Sequence, residues 1–337
     1  MPKTTTLHIG TTKTGSTSIQ NFMADHRAFL AEKSVLYPTS LGEINHNAIP
    51  VFFQGQQAAN RLQKKYDIQT PEDYTAFEQA YPVKLADEIA LHDPDHIIIS
   101  SEHMHSRCSS RAHFARLKQL LAPALTGRDL RIVVYLRPQI SHIVSLYSTM
   151  LRHGTTETVD TFVSSKMEPG KLAYFDFDKL LHKWSEAFPE ATIIARPFDR
   201  MAQLEHGVLS DFLALAGLAP FAADMTFAAP YNQSMSSWTA ETLRLLNTLD
   251  PALPAHVDRM ARKWLRNDVQ AGTVYPDVTV ARAFQAAFDE GNKRVCDAYF
   301  DGDQSVFDVD WEKYAPAAPS DGPTPAQMIT LWRQISA

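Results

Sequence analysis

Apolar and polar positions along the first two hundred residues fall into alternating strand-like and helix-like blocks. "TTTLHIG", Thr4 to Gly10, predicts a first strand, and from Ser18 the residues Ile19, Phe22, Met23, Phe29 and Leu30 recur at helical spacing. "SVLYP" predicts a short strand closed by Pro38. Residues 39–70 are polar and irregular and read as a long loop with short helical stretches. "PEDYTAFEQAYPVKLADEIALH" predicts a helix with a break or kink at Pro82. Ile97 to Ile99, in "DHIIISSEHMHSR", make a buried-type strand that ends in polar residues, and "FARLKQLLAPAL" is helical. "LRIVVYLRP", rich in β-branched residues, is the strongest strand. It leads into the helix "QISHIVSLYSTMLRHG", which opens after Pro138, places Ile140, Ile143, Val144, Tyr147 and Leu151 on one face, and ends at Gly154. "FDFDKLLHKWSEAF" is helical and "ATIIARPFD" is a further strand.

After Asp199 the pattern becomes mainly helical, as in "SWTAETLRLLNTL" and "VARAFQAAFDEGNKRVCDAYF". The Pro-rich "APAAPSDGPTPAQ" then precedes a short amphipathic piece containing Met328, Ile329, Leu331 and Trp332. Strands alternating with helices imply crossover connections and a parallel sheet. The expectation is an α/β fold with a central parallel sheet flanked by helices, forming a single domain over residues 1–337. Residues 1–200 would make its α/β core and residues 201–337 a mainly helical C-terminal portion. In such sheets ligands sit at the carboxyl ends of the strands. Three polar clusters lie at such ends: Lys13 to Ser18, Ser100 to His105, and Arg137.

Composition narrows the class. The 337 residues are 45% hydrophobic and 21% charged, as in an ordinary globular protein able to bury a sizeable core. The two cysteines, Cys108 and Cys296, lie far apart in no C-x-x-C pattern, which argues against a disulfide scaffold or a zinc site and fits a reducing compartment. A net charge of −6 without basic blocks argues against a large nucleic-acid footprint. No apolar run approaches the ~20 residues that span a bilayer, and "MPKTTTLHIG" lacks the apolar stretch of a signal peptide. A cytoplasmic protein with no membrane span is expected.

The first cluster lies in "LHIGTTKTGSTSIQNF". Its hydroxyls, glycine and lysine at a helix start suit an anion, because a helix N-terminus carries unsatisfied N–H groups and the positive end of the dipole. A plain Ser/Thr cap needs one hydroxyl, whereas Thr14, Ser16, Thr17 and Ser18 supply a run. In the nucleotide-hydrolysing P-loop the lysine follows the second glycine directly. Here Lys13 precedes Gly15 by two residues.

With that order, "KTGST" resembles the 5′-phosphosulfate loop of the sulfotransferases, which move a sulfuryl group from 3′-phosphoadenosine 5′-phosphosulfate (PAPS) to an acceptor. That family's 3′-phosphate site is an arginine ending a hydrophobic strand, with a serine eight residues later on the next helix. "VVYLRPQISHIVSLY" carries Arg137 and Ser145 at that spacing, about 120 residues after the loop. A guanidinium fork matches phosphate oxygens. The resemblance therefore implies a P-loop-like three-layer fold with PAPS as donor and 3′,5′-ADP (PAP) as product. It assigns Lys13, Thr14, Gly15, Ser16, Thr17, Ser18, Arg137 and Ser145 to the donor and requires no metal. Beyond Ser145 it thins to general pattern, such as "RPFDR", seen in bacterial members. The Arg-Lys-Gly loop of the cytosolic enzymes is missing; "ARKWLRND" (Arg262, Lys263, Arg266) or "GNKR" (Lys293, Arg294) could substitute, or be a solvated helical face.

Sulfuryl transfer needs a base for the acceptor proton. The family places a histidine, or in other branches a glutamate, at the end of the strand between the two donor motifs. "IISSE" puts Glu102 there, with His103 as the competing base. In an extended segment Glu102 and His103 would face opposite ways, and His103 and His105 would share a face. Pairing of Glu102 with Arg107 or Arg111 would be a purely structural role. His103-x-His105 has no third metal ligand at recognisable spacing. His46, on the long loop, is a third base candidate or a solvated side chain.

The implied reaction is in-line displacement at sulfur, with Lys13 and loop N–H groups stabilising the leaving phosphate. The acceptor, a glycan or small metabolite bearing a hydroxyl or amine, is not legible, nor is the oligomeric state. Two other readings stand beside it. One is an ATP- and magnesium-dependent P-loop kinase, which calls for G-K-S/T and an acidic metal ligand. The other is a non-catalytic PAPS- or nucleotide-binding protein, which needs Lys13 and Arg137 but neither Glu102 nor His103.

Overall fold

The computed structural model describes residues 2–57, 60–227, 235, 237–249 and 273–315. Five strands form where the sequence placed them: β1 Thr4–His8, β2 Val35–Leu36, β3 His96–Ser100, β4 Asp129–Leu136 and β5 Thr192–Pro197. Every pairing is parallel and the order is β2-β3-β1-β4-β5. β1 therefore lies at the centre, and the chain leaves it toward β2 while it leaves neighbouring β4 toward β5. Such a divergence opens a crevice at the strands' carboxyl ends.

The helices between β1 and β4 are α1 Ser16–Asp25, α2 Arg27–Glu32, α3 Ala48–Gln54, α4 Asn60–Gln63, α5 Pro71–His92, α6 His103–Arg107 and α7 Arg111–Leu125. Then come α8 Gln139–Arg152, α9 Val159–Ser165, α10 Phe177–Ala187, α11 Phe198–Met201, α12 Val208–Leu215, α13 Ser237–Leu249, α14 Val278–Ala286 and α15 Asp289–Tyr299.

The chain folds into two compact units that interleave in sequence. The first (residues 1–137, 177–231 and 298–301) contains the whole sheet. The parallel register puts Thr6, His8, Ile98, Ser100, Val133 and Tyr135 on one face. There Ile98, Val133 and Tyr135 pack with Ile19, Phe22 and Met23 of α1 and with Val208 and Phe212 of α12. On the opposite face Thr5 donates to the carbonyl of Ala124 in α7.

The second unit (residues 138–176, 232–297 and 302–337) is helical in its described part, with Ile140, Ile143, Tyr147, Phe162, Phe175 and Phe284 in its core. Its buried amides interlock: Gln139 donates to Asn292 at 2.6 Å, and both Asn292 and Gln285 donate back to the Gln139 carbonyl at 3.0 Å.

Three local expectations change. α5 runs unbroken through Pro82, started by a capping box between Thr70 and Asp73. The stretch 39–70 holds a buried helix, α3, with Ile49, Val51, Phe52 and Phe53 fully enclosed. β3 ends at Ser100, and His103–Arg107 turns into a short helix instead of continuing as strand. Arg262, Lys263, Arg266 and the amphipathic piece with Met328, Ile329, Leu331 and Trp332 lie outside the described residues. Lys293 and Arg294 are exposed on α15.

Candidate active site

β1 leads straight into the loop Ile9–Gly15, whose shape comes from its own hydroxyls. The N–H of Thr11 meets the Tyr135 carbonyl of β4 at 3.3 Å, and its hydroxyl donates to the same oxygen at 3.1 Å. Thr14 and Ser16 then donate their hydroxyls to the Thr11 carbonyl at 2.8 and 3.0 Å. The Ser16 hydroxyl, assigned above to the donor phosphate, is thus turned into the loop, and its N–H is the group left for an anion. Thr17 is exposed, Ser18 half-buried. Thr11, which no sequence pattern singled out, is the hub of the loop.

Lys13 (φ 64°) and Gly15 (φ 80°) both take the left-handed conformation. For Gly15 this has a packing reason too, since a Cβ there would lie 2.5 Å from Cγ2 of Val208. Gly15 is also the N-cap of α1, so no side chain caps that helix, and its first turn holds no acidic residue. The leading N–H groups of a helix lack intrahelical acceptors. With a lysine two residues before the cap, the terminus is electropositive and open to an anion.

The end of β3 approaches the same loop. A Cβ on Gly10 would sit 3.3 Å from Cα of Glu102, so the two backbones are adjacent. Glu102, the N-cap residue of α6, accepts a 2.8 Å hydrogen bond at Oε2 from Nε2 of Gln20 on α1. Gln20 also reaches Ser100 Oγ at 3.3 Å, and Ser100 meets Nδ1 of His8 at 2.7 Å. No motif marks Gln20, although a polar side chain among Ile19, Phe22 and Met23 on a buried helical face is a signal. Glu102 pairs with Gln20 and not with Arg107 or Arg111, among the described residues.

The short helix α6 alters the neighbourhood of Glu102. His103 accepts at Nδ1 from Arg107 Nε at 3.3 Å, one turn on. Burial lowers the His103 pKa below the ordinary value; Glu102 pulls the other way, and Arg107 and Lys65 lower it further. His105 is buried and its N–H bonds the Ile9 carbonyl at 3.2 Å.

His46 is neither solvated nor presented to an acceptor. It is fully enclosed, its Nδ1 accepts from the Ser100 N–H at 3.0 Å, and its pKa is pushed down to about 3 by burial, with Arg27 adding to the effect. Its role is to close the edge of β3 beyond β2. Among the described residues no group of three or more His, Cys, Asp or Glu comes together as a metal site. Nor is any described helix long and apolar enough to cross a membrane.

Arg137 follows β4 directly and is 18% exposed. Its guanidinium lies 4.9 Å from the Phe198 ring centroid, and Nη2 pairs with Asp199 Oδ1 at 3.2 Å. Ser145 is half-buried on α8, in the second unit. The first unit is therefore an α/β body whose central strands gather an uncapped helix, a lysine, a carboxylate and an arginine at their carboxyl ends.

No family model matches this sequence, and no solved structure does. An uncharacterized protein of Archaeoglobus fulgidus is 29% identical over 183 residues, 52% of this chain. The chain covers about half of that relative's length, 47%.

Proposed function

We propose that this protein is a PAPS-dependent sulfotransferase of P-loop-like, three-layer fold, acting in the cytoplasm on a hydroxyl or amine of a glycan or small metabolite. The observation that carries this reading is the pairing of an uncapped, lysine-flanked helix N-terminus at β1 with Glu102 directly across Gly10. The strand order, with β1 between β3 and β4, supports it.

In this reading the N–H groups of Ser16, Thr17 and Ser18 hold the 5′-phosphate, and Lys13 offsets the charge that builds on its bridging oxygen. Arg137 binds the 3′-phosphate. Glu102 takes the proton as the acceptor oxygen or nitrogen forms its bond to sulfur. The bond between sulfur and the bridging oxygen breaks, and 3′,5′-ADP leaves with that electron pair. Gln20 fixes the carboxylate that receives the proton. Glu102 is favoured over His103, whose Nδ1 is engaged by Arg107, and over His46, which is enclosed.

The test is an acceptor screen with labelled PAPS across glycans, phenols, amines and lipids, using wild type and Glu102→Gln. Transfer by wild type, abolished in Glu102→Gln while 3′,5′-ADP affinity persists, is the expected result. Full activity in Glu102→Gln would remove Glu102 as base, and absence of transfer to every acceptor class would favour a nucleotide-binding protein without catalysis.

A further inference from the structure

The guanidinium of Arg137 is already engaged by a carboxylate, and the register of the sheet explains why. β4 and β5 run in parallel with Leu136 opposite Pro197, so Arg137 and Phe198 leave the sheet side by side. Phe198 slides under the guanidinium, and Asp199, the next residue, reaches its Nη2 at 3.2 Å. The pair is asymmetric: Arg137 is 18% exposed and Asp199 48%. Arg137 is held from below by an aromatic face, a favourable seat for a planar cation. Asp199 is the partner with room to move away.

We infer that Asp199 is an affinity-setting residue that occupies Arg137 in the ligand-free protein and competes with the 3′-phosphate for it. The inference rests on the assignment of Arg137 to that phosphate. A phosphate monoester brings more charge than a carboxylate and offers two oxygens to the guanidinium fork, so it displaces Asp199. A nucleotide with a bare 3′-hydroxyl brings no charge to Arg137 and leaves the pair intact. After displacement Asp199 stays close to the bound phosphate and repels it, which loosens the hold on the product 3′,5′-ADP and speeds its release. A half-exposed pair contributes little by itself, so the competition weakens binding without preventing it.

The experiment is titration of wild type, Asp199→Asn and Asp199→Glu with 3′,5′-ADP and 5′-ADP by calorimetry, with dissociation rates from stopped flow. Asp199→Asn is expected to bind 3′,5′-ADP about fivefold more tightly, near the upper end of what a half-exposed ion pair contributes. Its dissociation should slow in proportion, and 5′-ADP affinity should stay within about twofold of wild type. Asp199→Glu, which keeps the charge, should resemble wild type. Unchanged or weaker binding of 3′,5′-ADP by Asp199→Asn would overturn the inference and leave Asp199 as a support for the arginine. Should wild type itself fail to prefer 3′,5′-ADP over 5′-ADP, the sulfotransferase reading falls, and the inference with it.

Discussion

Nε2 of Gln20 donates to Oε2 of Glu102 at 2.8 Å, tying the first turns of the helix after the Ile9–Gly15 loop to the carboxylate just past the end of β3. The contact joins two segments that the sequence shows as separate motifs, since any shift of α1 moves the group that holds Glu102. Hydrogen bonds to charged groups contribute more than neutral ones, about 1.5–3 kcal/mol. A double-mutant cycle of Gln20→Leu and Glu102→Leu in urea unfolding should give a coupling of about 1.5 kcal/mol. Additive single effects would show that the two side chains do not meet in solution.

Buried histidines predict an acid-sensitive fold. His8 is fully enclosed between Tyr135 and Phe212, and burial pushes its pKa down to about 3. The unfolded chain takes up its proton near the ordinary value of 6.5, so between pH 6.5 and about 3 the unfolded state binds more protons. Stability therefore falls as the pH drops below 6.5 and is level above it. At pH 5 the loss from His8 alone is ~2 kcal/mol, and the equally enclosed His46 adds a similar amount. His8→Asn, which cannot titrate, should reduce the fall in unfolding free energy between pH 8 and pH 5 by ~2 kcal/mol. An unchanged slope would mean that His8 is not held neutral in the core.

Lys13 carries a charge and a left-handed backbone at once, and two substitutions separate them. Lys13→Ala and Lys13→Gly both remove the ammonium and should weaken 3′,5′-ADP binding equally, by about tenfold or more. They should differ in stability, because alanine at positive φ is strained and glycine is not. Lys13→Gly is expected to unfold about 1 kcal/mol less readily than Lys13→Ala in chemical denaturation. Equal stabilities would indicate that the loop relaxes out of that conformation.

Gly15 should tolerate no side chain. Gly15→Ala adds a Cβ 2.5 Å from Val208 at a positive φ, and a loss of about 2 kcal/mol or more in unfolding free energy is expected. Gly15→Ala combined with Val208→Ala should recover the packing part of that loss and leave the conformational part. A single variant as stable as wild type would contradict the close approach of α12 to the loop.

The strands were legible because β-branched and apolar runs bounded by Gly and Pro have few other readings, and all five lie where expected. The helix Ala48–Gln54 was legible only as one of the short helical stretches of 39–70, and its full burial was not, because a seven-residue segment is too short to show which face packs inward. The Ile97–Ile99 run favours an extended continuation through His103 and His105, yet the chain turns at Glu102 into α6. Lys13, Glu102 and Arg137 could be singled out one by one from residue type and position. Their supports could not: Thr11 holds the loop through the Tyr135 carbonyl, and Asp199 meets Arg137 through strand register, contacts separated by 124 and 62 positions that leave no local pattern.

In the proposed function, the loop at Lys13 and the guanidinium of Arg137 grip a nucleotide with phosphates at both ends of its ribose. Thermal unfolding with 3′,5′-ADP, 5′-ADP, and ATP with magnesium tests it directly. Stabilisation by 3′,5′-ADP well above that by 5′-ADP, lost in Arg137→Ala, is the predicted result. Stabilisation by ATP with magnesium and none by 3′,5′-ADP would contradict the account and point to a kinase.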